Sequence, residues 1–162
     1  LITNLFTATL EELQQLSVVP GDMESTELKE LLENADYLHY ANIPPIPSCM
    51  IFADKLRLQQ VFDNILSNSY KYANTKIEIK VRLDGSCLAV SIEDYGQSVR
   101  AEELPLLKEK FRRGSNAANI EGTGLGLYIS DHFMKEMNGE LVIDNGDNGL
   151  KACVLISLSG TI

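Results

Sequence analysis

Gly122, Gly124 and Gly126 fall at alternate positions just ahead of a helical pattern. Glycine is weak helix material and lets a backbone approach a ligand closely. A glycine-rich loop running into a helix N-terminus presents free N–H groups and the positive end of the helix dipole, which suits a phosphate. A glycine-rich turn with no ligand accounts for the same run, so the residues upstream decide. There, Asn64, Asn68 and the pair Lys71-Tyr72 form a polar stripe on a helix predicted over 54–73. The opposite side carries Leu58, Val61, Phe62, Ile65 and Leu66. A solvated helix face usually carries Glu, Lys and Arg, whereas this one carries amides. An Asn carbonyl is a hard oxygen ligand suited to Mg²⁺, which also takes phosphate oxygens and water. Lys71 adds a point charge for phosphates. Taken alone, the two asparagines are equally solvated or capping residues.

Two further segments carry chemistry. Asp94 sits where a predicted strand ends, with Gly96 two residues on. A carboxylate there can accept a strong charge-assisted hydrogen bond from an amino group such as that of adenine, or can simply cap a turn. Phe111-Arg112-Arg113-Gly114 places adjacent arginines in an acidic chain. One arginine could reach a phosphate or a partner while Phe111 anchors the loop; an exposed basic turn is the plainer account.

The elements that must position these residues follow from periodicity. Residues 1–19 read as a helix, with Ile2, Phe6, Thr9, Leu13 and Leu16 on a heptad seam. Pro20-Gly21 breaks it, and a second helix follows, capped by Ser25 or Thr26. Residues 37–43 and 49–53 read as strands on either side of Pro44, Pro45 and Pro47. Ile77–Leu83 alternates with period two, Asp84-Gly85 turns the chain, and Cys87–Ile92 returns it as a hairpin. A long polar loop over 97–121 holds one short helix near 102–110. A helix over 125–138 and a hairpin of 141–144 with 152–158 close the chain. This order predicts an α+β fold, a two-layer sandwich of a mixed sheet with helices on one face.

Composition narrows the function. The 162 residues, 44 % hydrophobic and 23 % charged, suit one well-packed domain with a short appendage. A net charge of −9 argues against general nucleic-acid binding, which needs basic patches. No apolar run is long enough for a membrane span, so no membrane contact is expected of these residues. Cys49, Cys87 and Cys153 have no metal-ligand spacing and read as reduced thiols of a cytoplasmic protein. The chain starts at Leu1 rather than Met, which reads as a piece of a longer protein whose remainder could carry a membrane anchor.

Together, in this order, the four segments resemble the nucleotide-binding boxes of sensor histidine kinases of two-component systems, within the gyrase–Hsp90–histidine kinase–MutL superfamily. The N box is similar to Gln60-Val-Phe-Asp-Asn64-Ile-Leu-Ser-Asn68-Ser-Tyr-Lys71-Tyr72-Ala73, and the G1 box to Glu93-Asp94-Tyr95-Gly96-Gln97-Ser98. The F box resembles Leu107-Lys-Glu-Lys-Phe111-Arg-Arg113-Gly114, and the G2 box Gly122-Thr123-Gly124-Leu125-Gly126-Leu127. The resemblance spans about residues 22–160. It implies a Bergerat-type ATP-binding sandwich over 20–162, with 1–19 as the end of a dimerisation and phosphoacceptor helix. It also implies ATP and Mg²⁺ as ligands. Asn68 would ligate the metal, with Asn64 beside it. Lys71 and Arg113 would touch the phosphates, Tyr72 would line the base or ribose, and Asp94 would read the adenine amino group. Gly96 and Phe111 belong to the same site. Gly122, Gly124 and Gly126, with Thr123, Leu125 and Leu127 between and after them, would let a lid close over the phosphates.

The implied activity is transfer of the γ-phosphate of ATP to a histidine on that upstream helix, and from there to a response regulator. The implied parent is a homodimer. Two features depart from the family pattern. Ser98 stands where the G1 box usually has a second glycine, which leaves room for a degenerate module that binds nucleotide or protein without transfer. Neither His39 nor His132 is followed by the acidic residue expected next to a phosphoacceptor, so the acceptor is expected upstream of Leu1 or in another protein. ATPase relatives place a glutamate four residues before the metal-binding asparagine. Here that position is Asn64, and an amide cannot serve as a general base, so slow hydrolysis is expected.

Overall fold

A computed structural model describes residues 16–108 and 126–160. The element order is β1 (Gly21–Glu24), α1 (Leu28–Ala35), β2 (Ala41–Asn42), β3 (Met50–Ala53), α2 (Lys55–Tyr72), β4 (Ile77–Asp84), β5 (Cys87–Asp94), α3 (Gly126–Glu136), β6 (Glu140–Asn145) and β7 (Leu150–Ser157). Short 3₁₀ turns cover Ser25–Glu27 and Ala101–Leu106. The main sheet runs β2-β4-β5-β7-β6, parallel between β2 and β4 and antiparallel elsewhere. β1 and β3 form a separate antiparallel pair.

Register puts one apolar face together. Ile79 lies opposite Ile92, and Ile92 opposite Ala152, so the three line the same side of the sheet. Onto that side pack Leu58, Val61, Phe62, Ile65 and Leu66 of α2 and Phe133 and Met134 of α3, all buried. On the other face Lys80, Ser91 and Cys153 share a register and remain exposed or half-buried. This is the expected α+β sandwich with helices on one face. Cys49, Cys87 and Cys153 are free thiols, and burial pushes those of Cys87 and Cys153 up from their ordinary value. Among the described residues, no helix is long and apolar enough to cross a membrane.

α2 starts at Asp54, whose carboxylate accepts the Arg57 N–H at 3.2 Å and the Val19 N–H at 2.8 Å. It ends where Asn74 turns left-handed at φ 53° and donates its N–H to the Ser69 carbonyl at 3.0 Å.

Two expectations meet a different outcome, and one strand has no counterpart in the sequence pattern. Residues 16–20 of the predicted first helix and its break have no helical structure; Leu16 and Val18 instead pack against the core. Residues 1–15 lie outside the described residues. The strand expected over 37–43 contracts to Ala41–Asn42. Buried Asp36 accepts the Tyr40 N–H at 3.2 Å, the Ala41 N–H at 3.3 Å and the Tyr70 hydroxyl. That local cage curls the chain into a turn with His39 at φ 61°, in preference to a ladder. Finally, Gly21–Glu24 forms a strand with no alternating pattern to announce it, held by pairing to β3.

Candidate nucleotide site

α2 presents Asn64, Asn68 and Tyr72 at four-residue steps, half-buried, opposite its apolar side. At about 1.5 Å per residue the row runs roughly 12 Å along the helix. Both ends are pinned by glycine. At one end the Asn64 amide donates to the Gly126 carbonyl at 3.2 Å and to the Ser130 hydroxyl at 3.1 Å, joining α2 to the start of α3. At the other end Gly96 presses on the C-cap of α2. A Cβ placed on Gly96 would lie 2.6 Å from the Ala73 Cβ, closer than side chains pack. The Tyr95 N–H donates to the Thr75 hydroxyl at 2.9 Å, and Lys76 Nζ stands 4.5 Å from the Tyr95 ring centroid. The strand-end turn carrying Asp94 is thereby held against the Tyr72 end of the polar row.

Asp94 is buried at the end of β5. Its Oδ1 accepts the Gly96 N–H at 3.0 Å and the Leu150 N–H at 3.1 Å. Burial pushes its carboxyl pKa up from the ordinary value, these two N–H bonds pull it back, and the neighbouring Glu93 charge adds to the rise. Glu93, also buried, accepts the Asn148 N–H at 2.6 Å and the Gly149 N–H at 3.3 Å. The turn between β6 and β7 therefore folds over both carboxylates.

The same turn grips the loop after Asp94. Asn145 accepts the Val99 N–H at 2.9 Å and donates to the Val99 carbonyl at 2.8 Å, pairing with it as a strand would. Farther along, Lys108 donates to the Leu141 carbonyl at 2.8 Å and pairs with Asp131 of α3 at 3.2 Å, while Lys135 pairs with Asp131 at 2.9 Å. The segment leading to residue 108 is thus tied to the helix that begins at Gly126.

The sequence-predicted residues distribute as follows. Asn64, Asn68, Tyr72, Gly96 and Gly126 converge along α2, with Asp94 behind Gly96. Leu127 packs partly into the core, and Lys71 is exposed on the same side of α2. Phe111, Arg113, Gly122, Thr123, Gly124 and Leu125 lie outside the described residues. Ser98 is exposed in the loop after Gly96. His39 occupies the turn after α1, and His132 lies on α3 beside Phe133. Sequence reasoning missed Glu93, Ser130, Asn145 and Gly149. The one available signal was the run Asn145-Gly-Asp-Asn-Gly149, which holds more glycine and asparagine than a hairpin turn needs.

A metal fits this site only in part. Among the described residues no group of three or more His, Cys, Asp or Glu side chains converges on a metal position. The oxygen donors on offer are the Asn68 and Asn64 amides, so phosphate oxygens and water would complete a Mg²⁺ shell, its usual manner of binding.

An α+β sandwich with a polar helix row, glycine-backed at both ends and closed by a buried carboxylate, defines the class. The sequence model described as "Histidine kinase-, DNA gyrase B-, and HSP90-like ATPase" matches residues 53–160, and the chain belongs to that family of ATP-binding domains. Among curated proteins it is 30 % identical over 157 residues to the sensor histidine kinase RcsC of Escherichia coli K12, covering 90 % of this chain and 16 % of RcsC. It is 30 % identical over 139 residues to the phosphate regulon sensor protein PhoR of Pseudomonas aeruginosa, covering 78 % of this chain and 31 % of that one. The chain thus spans well under half the length of these relatives. Among solved structures, the mycobacterial sensor histidine kinase MprB superposes with a TM-score of 0.75 at 21 % identity, covering 85 % of this chain and 98 % of that one. Acinetobacter baumannii AdeS gives 0.68 at 22 %, covering 99 % of this chain and 78 % of that one. These likenesses establish the fold.

Proposed function

We propose that this chain is the catalytic part of a sensor histidine kinase, which binds Mg-ATP and donates its γ-phosphate to a histidine on an upstream dimerisation helix. The observation that carries the reading is the row Asn64–Asn68–Tyr72, bounded by Gly126 at one end and by Gly96 with Asp94 at the other. In this reading Asp94 accepts from the adenine amino group, Tyr72 lines the base or ribose, and Lys71 and Arg113 neutralise phosphate charge. Asn68 supplies an amide oxygen to Mg²⁺, which when bound screens the phosphate oxygens. Asn64 serves mainly as a brace, since both of its N–H groups reach α3.

Phosphoryl transfer asks the protein for positioning and charge neutralisation more than covalent chemistry. This chain offers both and leaves the nucleophile to the helix. Acceptor histidine, homodimeric parent and response regulator all belong to the proposal, as does the assignment of residues 1–15 to the end of that helix, residues 16–19 being without helical structure.

The test is calorimetric titration with a non-hydrolysable ATP analogue, with and without Mg²⁺. Magnesium-dependent binding supports the reading, and phosphate appearing on an added upstream histidine hairpin completes it. Absence of binding at millimolar nucleotide favours the degenerate module, for which exposed Ser98 in the G1 turn is the specific observation. Steady ATP hydrolysis well above buffer would contradict both.

A further inference from the structure

We propose that the β6–β7 turn, through Gly149 and the Leu150 N–H, is the positioning element that aims Asp94 and so sets the preference for a purine with a 6-amino group. The inference rests on the nucleotide reading above and adds a determinant from outside the nucleotide-binding boxes.

Gly149 is buried at the point where the turn meets β5. Its φ is not positive; among the described glycines only Gly85 and Gly160 have positive φ. The need for glycine here is therefore one of space. A Cβ on Gly149 would lie 2.4 Å from Asp94 Oδ1, 2.5 Å from the Asp94 carbonyl oxygen and 2.9 Å from the Gly96 nitrogen. No side-chain carbon approaches so closely, and two of these three neighbours are backbone, which cannot swing aside. With glycine in place, the next residue brings its N–H to 3.1 Å from Asp94 Oδ1, where the Gly96 N–H also arrives at 3.0 Å.

One carboxylate oxygen is thereby held by two backbone donors. Both donors reach Oδ1, and in the proposed pose Oδ2 takes the amino group of the ligand. The turn is fixed in its own right. Glu93 accepts from Asn148 and Gly149, and a Cβ on Gly146 would lie 2.4 Å from Glu93 Oε2. Asn145 clamps Val99 on the far side. Hydrogen bonds weaken steeply with angle, so a displaced Oδ2 loses the amino group without losing the pocket.

The experiment compares binding of ADP with that of the purine riboside diphosphate, which lacks the 6-amino group, by calorimetry. Wild-type protein is expected to bind ADP at least about tenfold more tightly, the range for a hydrogen bond to a charged group. Gly149→Ala is expected to weaken ADP about tenfold and to leave the deamino nucleotide within about twofold, collapsing the ratio toward that of Asp94→Asn. An equal loss of both nucleotides, or an unchanged ratio in a folded variant, overturns the proposal. Thermal unfolding establishes whether Gly149→Ala folds; if it does not, Glu93→Gln loosens the turn without adding an atom near Asp94, and the same ratio decides. Wild-type protein that binds neither nucleotide overturns the nucleotide reading itself, and this inference with it; wild-type that prefers ADP while the variants keep that preference overturns the inference alone.

Discussion

Replacing Asp94 with asparagine separates recognition from folding. The amide oxygen can still accept the Gly96 and Leu150 N–H groups, at 3.0 and 3.1 Å in the wild type, so the local backbone should hold. The second carboxylate oxygen becomes an NH₂, a donor facing the donor of the adenine amino group. Losing a hydrogen bond to a charged group costs about 1.5–3 kcal/mol, or roughly a 10- to 150-fold rise in Kd for ATP analogues. Calorimetry at constant Mg²⁺ reads this directly.

The same substitution should not weaken the fold at neutral pH. Burial raises the Asp94 pKa in the folded protein. A raised folded-state pKa contributes stability that is complete below the unfolded pKa and is lost as pH rises through the folded one. At pH 7 the ionised carboxylate is therefore a burden to the fold that the neutral amide lacks. Asp94→Asn should unfold no earlier than wild type, and the difference should close in acid. Nucleotide affinity of the wild type should run the other way, falling as acid protonates Asp94, whose pKa burial raises from its ordinary value. Unchanged ATP affinity in a folded Asp94→Asn variant would refute the adenine assignment.

Three further outcomes are expected. Asn68→Ala should abolish the magnesium dependence of nucleotide binding while leaving metal-free binding unchanged, as titrations with and without Mg²⁺ would show; retained dependence would move the metal elsewhere. Asn64→Ala removes two hydrogen bonds between α2 and α3, each worth about 1 kcal/mol, so denaturant unfolding should report about 1–3 kcal/mol of lost stability. Tyr70→Phe leaves buried Asp36 without its hydroxyl donor and should cost about 1–3 kcal/mol in the same assay, with nucleotide affinity unaffected because the pair lies on the core side of α2.

Much of this molecule was legible along the chain. The four-residue steps of Asn64, Asn68 and Tyr72 opposite Leu58, Phe62 and Ile65 state a helix with one wet and one dry side, and α2 is that helix. Alternation over Ile77–Leu83 and Cys87–Ile92 around Asp84-Gly85 states a hairpin, and β4 and β5 are its strands. The N box lies on α2 and the G1 box begins at the end of β5. Such features are local, since periodicity is a property of neighbours in sequence and one buried face enforces it.

Other features arise only where distant segments meet. Gly21–Glu24 has no pattern of its own and is a strand because β3 lies beside it. Tyr37–Tyr40 has strand-forming residues yet curls, because buried Asp36 captures backbone and the Tyr70 hydroxyl, 34 residues on, at once. Glu93 and Asp94 are adjacent acids in a strand-end motif, and nothing near them in sequence says what holds them. β7 folds back beside β5 and brings the turn at Gly149 over both carboxylates, some 56 residues downstream. Residue types and spacing were enough to name candidate side chains for a nucleotide. The aim of the carboxylate that would read its base depends on a close approach between two backbones, and only packing of the folded sheet can create it.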